Sequence, residues 1–132
     1  MPSVSILIPC YNAGPYLEGA IRSALAQSAD EVILIDDSSS DRSLEIARSF
    51  EPQISVETQV NAGAQVTRNR LFALSSGEWI QYLDADDLLY DGKIARQLAV
   101  NPTAQQIPYC DFDIDRGNQF RVYRLCYAAW SK

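Results

Sequence analysis

Histidine is absent from the 132 residues, which removes Ser-His and Cys-His nucleophilic dyads, His-ligated zinc and a histidine general base together. Acid–base chemistry falls to carboxylates. Basic runs are missing as well. Eleven Lys+Arg stand against seventeen Asp+Glu, and the net charge of −6 argues against a nucleic-acid partner, because phosphate backbones demand clustered positive surface. The three cysteines, Cys10, Cys110 and Cys126, are odd in number and contain no C-x-x-C pair. They read as reduced thiols, neither a disulfide framework nor a zinc site, which points to a cytosolic setting. Hydrophobic runs are short: the first is only Val4 to Ile8 and follows no charged n-region, so neither a signal peptide nor a transmembrane segment is expected. What is present, 47% hydrophobic content over 132 residues, suffices for one domain with a real core and is too short for two ordinary ones.

Apolar periodicity then alternates along the chain. Val4 to Ile8 is a buried-strand run stopped by Pro9, and Leu17, Ala20, Ile21, Ala24 and Leu25 recur at helical spacing between Tyr16 and Gln27. Glu31 to Ile35 repeats the strand signal, Ser39 or Ser40 suits the cap of a helix reaching about Phe50, and Ile54 to Gln59 gives a third strand. A helix over Ala64 to Leu74, a strand over Glu78 to Leu83 and a helix near Asp91 to Leu98 follow. This rhythm predicts an α/β fold, a mainly parallel sheet with helices on both faces. Asn101-Pro102 breaks it; beyond, Ile107 to Ile114 and Phe120 to Tyr127 are expected to pair as a hairpin around Asp115-Arg116-Gly117-Asn118. There is no internal repeat and no low-complexity linker.

Ligands of open α/β sheets bind beyond the carboxyl ends of the strands, so the polar loops there carry the functional information. They are Pro9-Cys10-Tyr11-Asn12, Asp36-Asp37-Ser38-Ser39-Ser40-Asp41, Asn61-Ala62-Gly63 and Asp84-Ala85-Asp86-Asp87. The last places three carboxylates within four positions after an apolar run. Such crowding costs repulsion unless water or a cation relieves it. Carboxylates that share a hard cation with substrate phosphates suit Mg²⁺ or Mn²⁺. A solvated acidic turn capping the next helix has the same composition, as an N-cap cluster has that of Asp36-Asp37 and its serines.

The ordered set Val4 to Asn12, Ile33 to Ser39, Asn61-Ala62-Gly63, Arg68-Asn69 and Ser76 to Ile80 leading into Leu83 to Asp87 resembles the family two glycosyltransferases of GT-A, Rossmann-like fold over about residues 3–100. The resemblance implies transfer of a sugar from a nucleoside-diphosphate sugar, a UDP-sugar favoured, to an acceptor hydroxyl with inversion at the anomeric carbon. It also implies a Mg²⁺ or Mn²⁺ ion, a carbohydrate or lipid-linked acceptor, and cell envelope polysaccharide synthesis in the cytoplasm or at the inner face of the membrane. Residue by residue, it places Pro9, Tyr11 and Asn12 at the nucleoside. It gives Asp37 a hydrogen bond from the base edge and Asp36 support of the loop or nucleoside. Arg68 would meet nucleotide or pyrophosphate, Asp84 the ribose or the metal, and Asp86 the metal directly, while Asp87 caps the following helix. Residues 1–100 would form the nucleotide-sugar-binding region and 101–132 the remainder of the same domain.

The chain departs from the family pattern in three places. Thr67-Arg68-Asn69-Arg70-Leu71 stands where the family commonly has Ala-Arg-Asn-x-Gly, so Arg70 reads as surface charge. No Gln-x-x-Arg-Trp segment is present, and family domains usually run to about two hundred residues or more, so a truncated chain or donor-binding half is expected. The family's catalytic base is a carboxylate well downstream of the metal motif. Here only Asp111, Asp113 and Asp115 are on offer, in a context that does not reproduce the motif. Two other classes compete: a nucleotide-sugar-binding module that no longer transfers, and a metal-dependent nucleotidyltransferase. The last would want a basic glycine-rich phosphate loop, but Cys10 to Gly14 carries no Lys or Arg.

Overall fold

Side chains alternate across a strand, so a continuous apolar run must be covered on both faces. In the computed structural model, which describes residues 2–100, 102–103, 110–115 and 120–125, that requirement organises the molecule. Strands β1 (Val4–Cys10), β2 (Glu31–Asp36), β3 (Ser55–Thr58) and β4 (Trp79–Tyr82) form one sheet in the order β3-β2-β1-β4. Every pairing in it is parallel. Ile6, Ile8 and Cys10 of β1 pack with Val32 and Leu34 of β2 under helix α1 (Gly14–Leu25) and helix α2 (Ser43–Arg48), together with Ile94 of helix α4 (Lys93–Ala99). Leu7, Ile33, Ile35 and Ile80 point the other way and meet Leu71 of helix α3 (Ala64–Leu74). The expected α/β architecture, with helices on both faces, is what the chain adopts.

α1 shows why the elements form where they do. Its Leu17, Ala20, Ile21 and Ala24 are all buried at helical spacing, and Pro15 sits in the first turn, where its missing N–H costs nothing. The start of β4 is fixed by a polar knot at the sheet's amino end. Glu31 Oε1 accepts from Ser5 Oγ at 2.5 Å and from the Ser76 N–H at 2.6 Å, while the Gly77 N–H donates to Ser5 Oγ at 2.8 Å. A Cβ on Gly77 would lie 2.6 Å from the Ser5 nitrogen, so only glycine lets the chain enter β4 this close to β1.

The structure moves two boundaries. β1 continues through Pro9 to Cys10, paired with Ile35 and Asp36. Odd residues of β1 bond toward β4, as the Leu83 N–H does to the Leu7 carbonyl, and even residues bond toward β2, as the Asp37 N–H does to the Cys10 carbonyl. Proline's missing donor therefore faces the side on which β4 has already ended. Ser39 and Ser40 do not cap α2, which begins at Ser43; the Ser43 N–H is met instead by Asp41 Oδ1 at 2.9 Å. The expected hairpin is present as β5 (Cys110–Asp115) paired antiparallel with β6 (Phe120–Leu125). Residues 104–109, 116–119 and 126–132, which include the expected turn and Cys126, lie outside the described residues. Among the described residues no helix is long and apolar enough to cross a membrane.

Candidate functional site

The order β3-β2-β1-β4 sends the chain first to one side of β1 and later to the other, which makes the carboxyl ends of β1 and β4 the switch point of the sheet. The loop after β1 carries Tyr11, exposed, and Asn12, held at φ 48°, a left-handed conformation that asparagine tolerates better than most residues. Asn12 binds the next loop with its own backbone and side chain. Its N–H donates to Ser39 Oγ at 2.9 Å, and its Oδ1 accepts from the Ser40 N–H at 2.8 Å. The serines that the sequence offered as helix caps are loop-to-loop stitches instead.

Asp36 and Asp37 are both buried but do different work. Asp36 Oδ2 accepts from the Ser39 N–H at 3.0 Å, and its Oδ1 is buried without a hydrogen-bond partner among the described residues. Asp37 Oδ1 accepts from Gln59 Nε2 and the Ala62 N–H, each at 2.8 Å, and Oδ2 from the Gly63 N–H at 2.9 Å. Burial pushes its pKa up, but these bonds outweigh burial and hold the carboxyl below the usual aspartate value. Each carboxylate oxygen offers two lone-pair sites, so Oδ2 keeps one free direction while Oδ1 is filled. Below this pair, burial pushes the Cys10 thiol up to about 11, with Ser43 and Ser39 opposing and Asp36 adding to the rise. Cys10 is buried in the core and is also among the residues lining the cavity that these loops enclose.

Arg68 projects from α3 to the end of β4, where its Nη2 meets Asp84 Oδ1 at 2.8 Å. Asp86 is exposed in the turn beyond, which the Asp87 N–H closes on the Asp84 carbonyl at 3.0 Å. Partial desolvation raises the pKa of Asp87, and the neighbouring charges of Asp86 and Asp84 raise it further, so the three carboxylates are electrostatically in contact. Asp87 does not cap the next helix: α4 starts at Lys93 behind Gly92, too far along the chain for that side chain to serve its first turn. Nor is Arg70 loose surface charge. Its guanidinium donates to the Thr58 carbonyl at 3.0 Å and pairs with Glu57 at 3.2 Å, tying α3 to β3.

These loops enclose one cavity of about 390 Å³. Pro9, Tyr11, Asn12, Asp37, Arg68, Asp84 and Asp86 all line it; Asp36 does not, lying beneath the loop it supports. Asn61, from a loop the sequence singled out without giving this residue a role, also lines the cavity, as do Tyr16 and Thr67, which were not expected there. Only Asn61, in a loop already of interest, carried a local signal; Tyr16 and Thr67 sit in helical patterns that read as packing. Asp113 is exposed and accepts a 2.5 Å bond from Tyr90 Oη, away from the lining. Asp111 and Asp115 are placed on β5 by their backbones alone.

The donor set fits a hard divalent ion only when it is shared. Among the described residues no three His, Cys, Asp or Glu side chains converge as a self-sufficient metal cage. One or two carboxylates beside an open cavity are what Mg²⁺ or Mn²⁺ uses when diphosphate and water complete its coordination.

Comparison with known proteins agrees with this geometry. The family model described as Glycosyl transferase family 2 matches residues 5–121. Among curated proteins, the chain is 39% identical over 92 residues to the uncharacterized glycosyltransferase YibD of Escherichia coli (strain K12), covering 66% of this chain and 27% of that one. It is 34% identical over 134 residues to an uncharacterized glycosyltransferase of Haemophilus influenzae, covering 92% of this chain and 52% of the relative. The chain therefore spans between about a quarter and a half of the length of these relatives. Among solved structures, S. aureus TarS 1-349 in complex with UDP-GlcNAc superposes with a TM-score of 0.64 at 24% identity, over 74% of this chain and 30% of that one. The mannosyltransferase PcManGT from Pyrobaculum calidifontis, in complex with GDP-Man and Mn²⁺, gives 0.61 at 22% identity over 71% and 30%. At these identities the structural likeness concerns the fold.

Proposed function

The chain belongs to glycosyl transferase family 2, and we propose that it is the nucleotide-sugar-binding part of an inverting glycosyltransferase that moves a sugar from a nucleoside-diphosphate donor to an acceptor hydroxyl. One observation carries the reading: the loops after β1, β2 and β4 and helix α3 bring Tyr11, Asp37, Arg68, Asp84 and Asp86 around a single cavity at the switch point. Polar groups suited to a base, a diphosphate and a cation share one wall.

In this reading the nucleoside lies along Pro9, Tyr11 and Asn12, and the free lone pair of Asp37 Oδ2 accepts from an imide N–H, which uracil and thymine both carry, the family resemblance favouring uridine of the two. Asp36 keeps the second loop in place through Ser39. Arg68 offers a guanidinium to the diphosphate oxygens, leaving Asp84 to the ribose or to the cation. Asp86, open to the cavity, is the direct ligand. A bound Mg²⁺ or Mn²⁺ supplies Lewis-acid stabilisation of the leaving diphosphate. The acceptor, a carbohydrate or lipid-linked hydroxyl, attacks the anomeric carbon from the opposite face and must lose its proton there.

Calorimetry with UDP, GDP and dTDP, each with and without Mn²⁺, tests base and metal together. Tightest binding is expected for UDP with Mn²⁺; no binding of any of the three would remove the reading. A second reading, a donor-binding module without transferase activity, is favoured by the position of Asp113. That carboxylate is engaged by Tyr90 and stands outside the cavity lining.

A further inference from the structure

Gln27 lies just past the end of α1, far from the acidic loop in sequence, yet its side chain is devoted to the segment that follows that loop. It is 7% exposed. Its Nε2 donates to the Tyr90 carbonyl at 3.0 Å and to the Ser23 carbonyl at 3.2 Å, and its Oε1 accepts from the Ile94 N–H at 3.2 Å. Ile94 is in the first turn of α4, whose N-cap Gly92 supplies no side-chain bond, so α4 takes its cap from α1. One turn earlier on the same stripe, Ser23 Oγ accepts from the Leu89 N–H at 3.1 Å. Another turn back, a Cβ on Gly19 would lie 3.2 Å from Leu88 Cδ2, so the absence of a side chain there lets the loop settle against the helix.

The other end of the loop is held by β1, where the Leu83 N–H donates to the Leu7 carbonyl at 2.9 Å. Leu83 and Ala85 are buried. Asp84 to Asp87 thus form a short span between two anchors, one on β1 and one on α1. Arg68 braces only Asp84. Within the span the Asp87 N–H to Asp84 carbonyl bond closes the turn, and Asp86 stands exposed on it, so the turn is aimed by its two anchors.

We propose that Gln27, assisted by Ser23, is a positioning residue for the carboxylates of the acidic loop: it sets the geometry in which Asp86 reaches a divalent cation without touching that cation. The inference rests on the reading of this loop as the cation site. A side-chain amide that satisfies a buried N–H and part-buried carbonyls is costly to delete, since the buried Ile94 N–H then loses its partner. Outer groups that orient a metal ligand are typically worth about 10–100-fold in metal affinity.

The measurement is UDP affinity by calorimetry, with and without Mn²⁺, for the unmutated chain, Gln27→Ala and Ser23→Ala, with thermal melts reporting the fold. In Gln27→Ala the tightening produced by Mn²⁺ is expected to shrink about tenfold or more while the metal-free affinity stays within about twofold. Ser23→Ala should move the same ratio in the same direction by less. A purely structural role would lower both affinities together or neither. A folded Gln27→Ala with the full Mn²⁺ response overturns the inference and leaves the cation site standing. Should Gln27→Ala fail to fold, a full response in Ser23→Ala overturns it equally. An unmutated chain that binds UDP with no Mn²⁺ response overturns the cation site and this inference with it.

Discussion

Arg68 and Asp84 face each other across the crevice between α3 and the end of β4, Nη2 2.8 Å from Oδ1, with their side chains 37% and 42% exposed. A pair this open to water contributes about 0–1 kcal/mol to stability. It is cheap to exchange. In the proposed reading its guanidinium is already placed for the diphosphate and its carboxylate for the ribose or the cation.

Replacing Arg68 by Ala should therefore spare the fold and cost binding. UDP affinity is expected to fall by about 1.5–3 kcal/mol, as for a lost bond to a charged group, whereas uridine, which has no diphosphate, should bind nearly as before. Titration of both ligands against both proteins checks this. An equal loss for uridine would move Arg68 from the diphosphate to the nucleoside.

Asp86→Asn should weaken Mn²⁺-dependent nucleotide binding by about tenfold or more, because a direct oxygen ligand matters at least as much as the groups that orient it. The metal-free affinity and the melting temperature should be unaltered, since Asp86 is exposed. An Asp86→Asn protein with the full Mn²⁺ response would transfer the metal role to Asp84.

Asp37 predicts a pH dependence. Its folded-state pKa is depressed below the reference value of 3.8, so its bonds contribute stability that is present above that value and is lost as pH falls through the lower folded value. Urea midpoints should thus drop more steeply below about pH 4 in the unmutated chain than in Asp37→Asn, which has no charge to lose and starts from a lower midpoint. Parallel midpoints across that range would mean that Asp37 does not carry the acid sensitivity. Asp37→Ala should also cost about 1.5–3 kcal/mol of nucleotide affinity with or without metal.

Binding and transfer are expected to separate in this chain. General-base assistance typically contributes about 10²–10⁴-fold, and no downstream carboxylate among the described residues lines the cavity. Slow or absent turnover is expected alongside firm nucleotide binding. A donor–acceptor screen showing robust turnover that Asp111→Asn, Asp113→Asn or Asp115→Asn abolishes would identify the base and refute this expectation.

Much of this molecule could be read from local pattern. Val4 to Ile8 and Glu31 to Ile35 are apolar on both faces, which only a covered parallel sheet satisfies, and Leu17, Ala20, Ile21 and Ala24 repeat at helical spacing. Loops at the carboxyl ends of those strands then gather the binding candidates by topology alone. What failed was side-chain partnership over distance. Ser39 and Ser40 have the composition of a helix cap, but Asn12 competes for them and wins. Asp87 stands before a helix in sequence, but that helix begins too far along and is capped by Gln27. Gln27 itself left no signal, because a buried amide bridging segments more than sixty residues apart looks, in sequence, like any polar residue at a helix end.

Hydrogen bonds link the site loops one to the next. Asn12 holds Ser40, Asp37 holds Ala62 and Gly63, and α3, which starts just after Gly63, carries Arg68 to Asp84. The loop expected to read the base is thus linked, through α3 and Arg68, to Asp84 at the start of the acidic loop. If both loops bind as proposed, occupancy of one is expected to restrict segments that the other also uses. Linkage is reciprocal: whatever factor Mn²⁺ adds to the affinity for the nucleotide, the nucleotide must add to the affinity for Mn²⁺. A free cation would then be held weakly and a nucleotide loosely, and the pair retained as a unit.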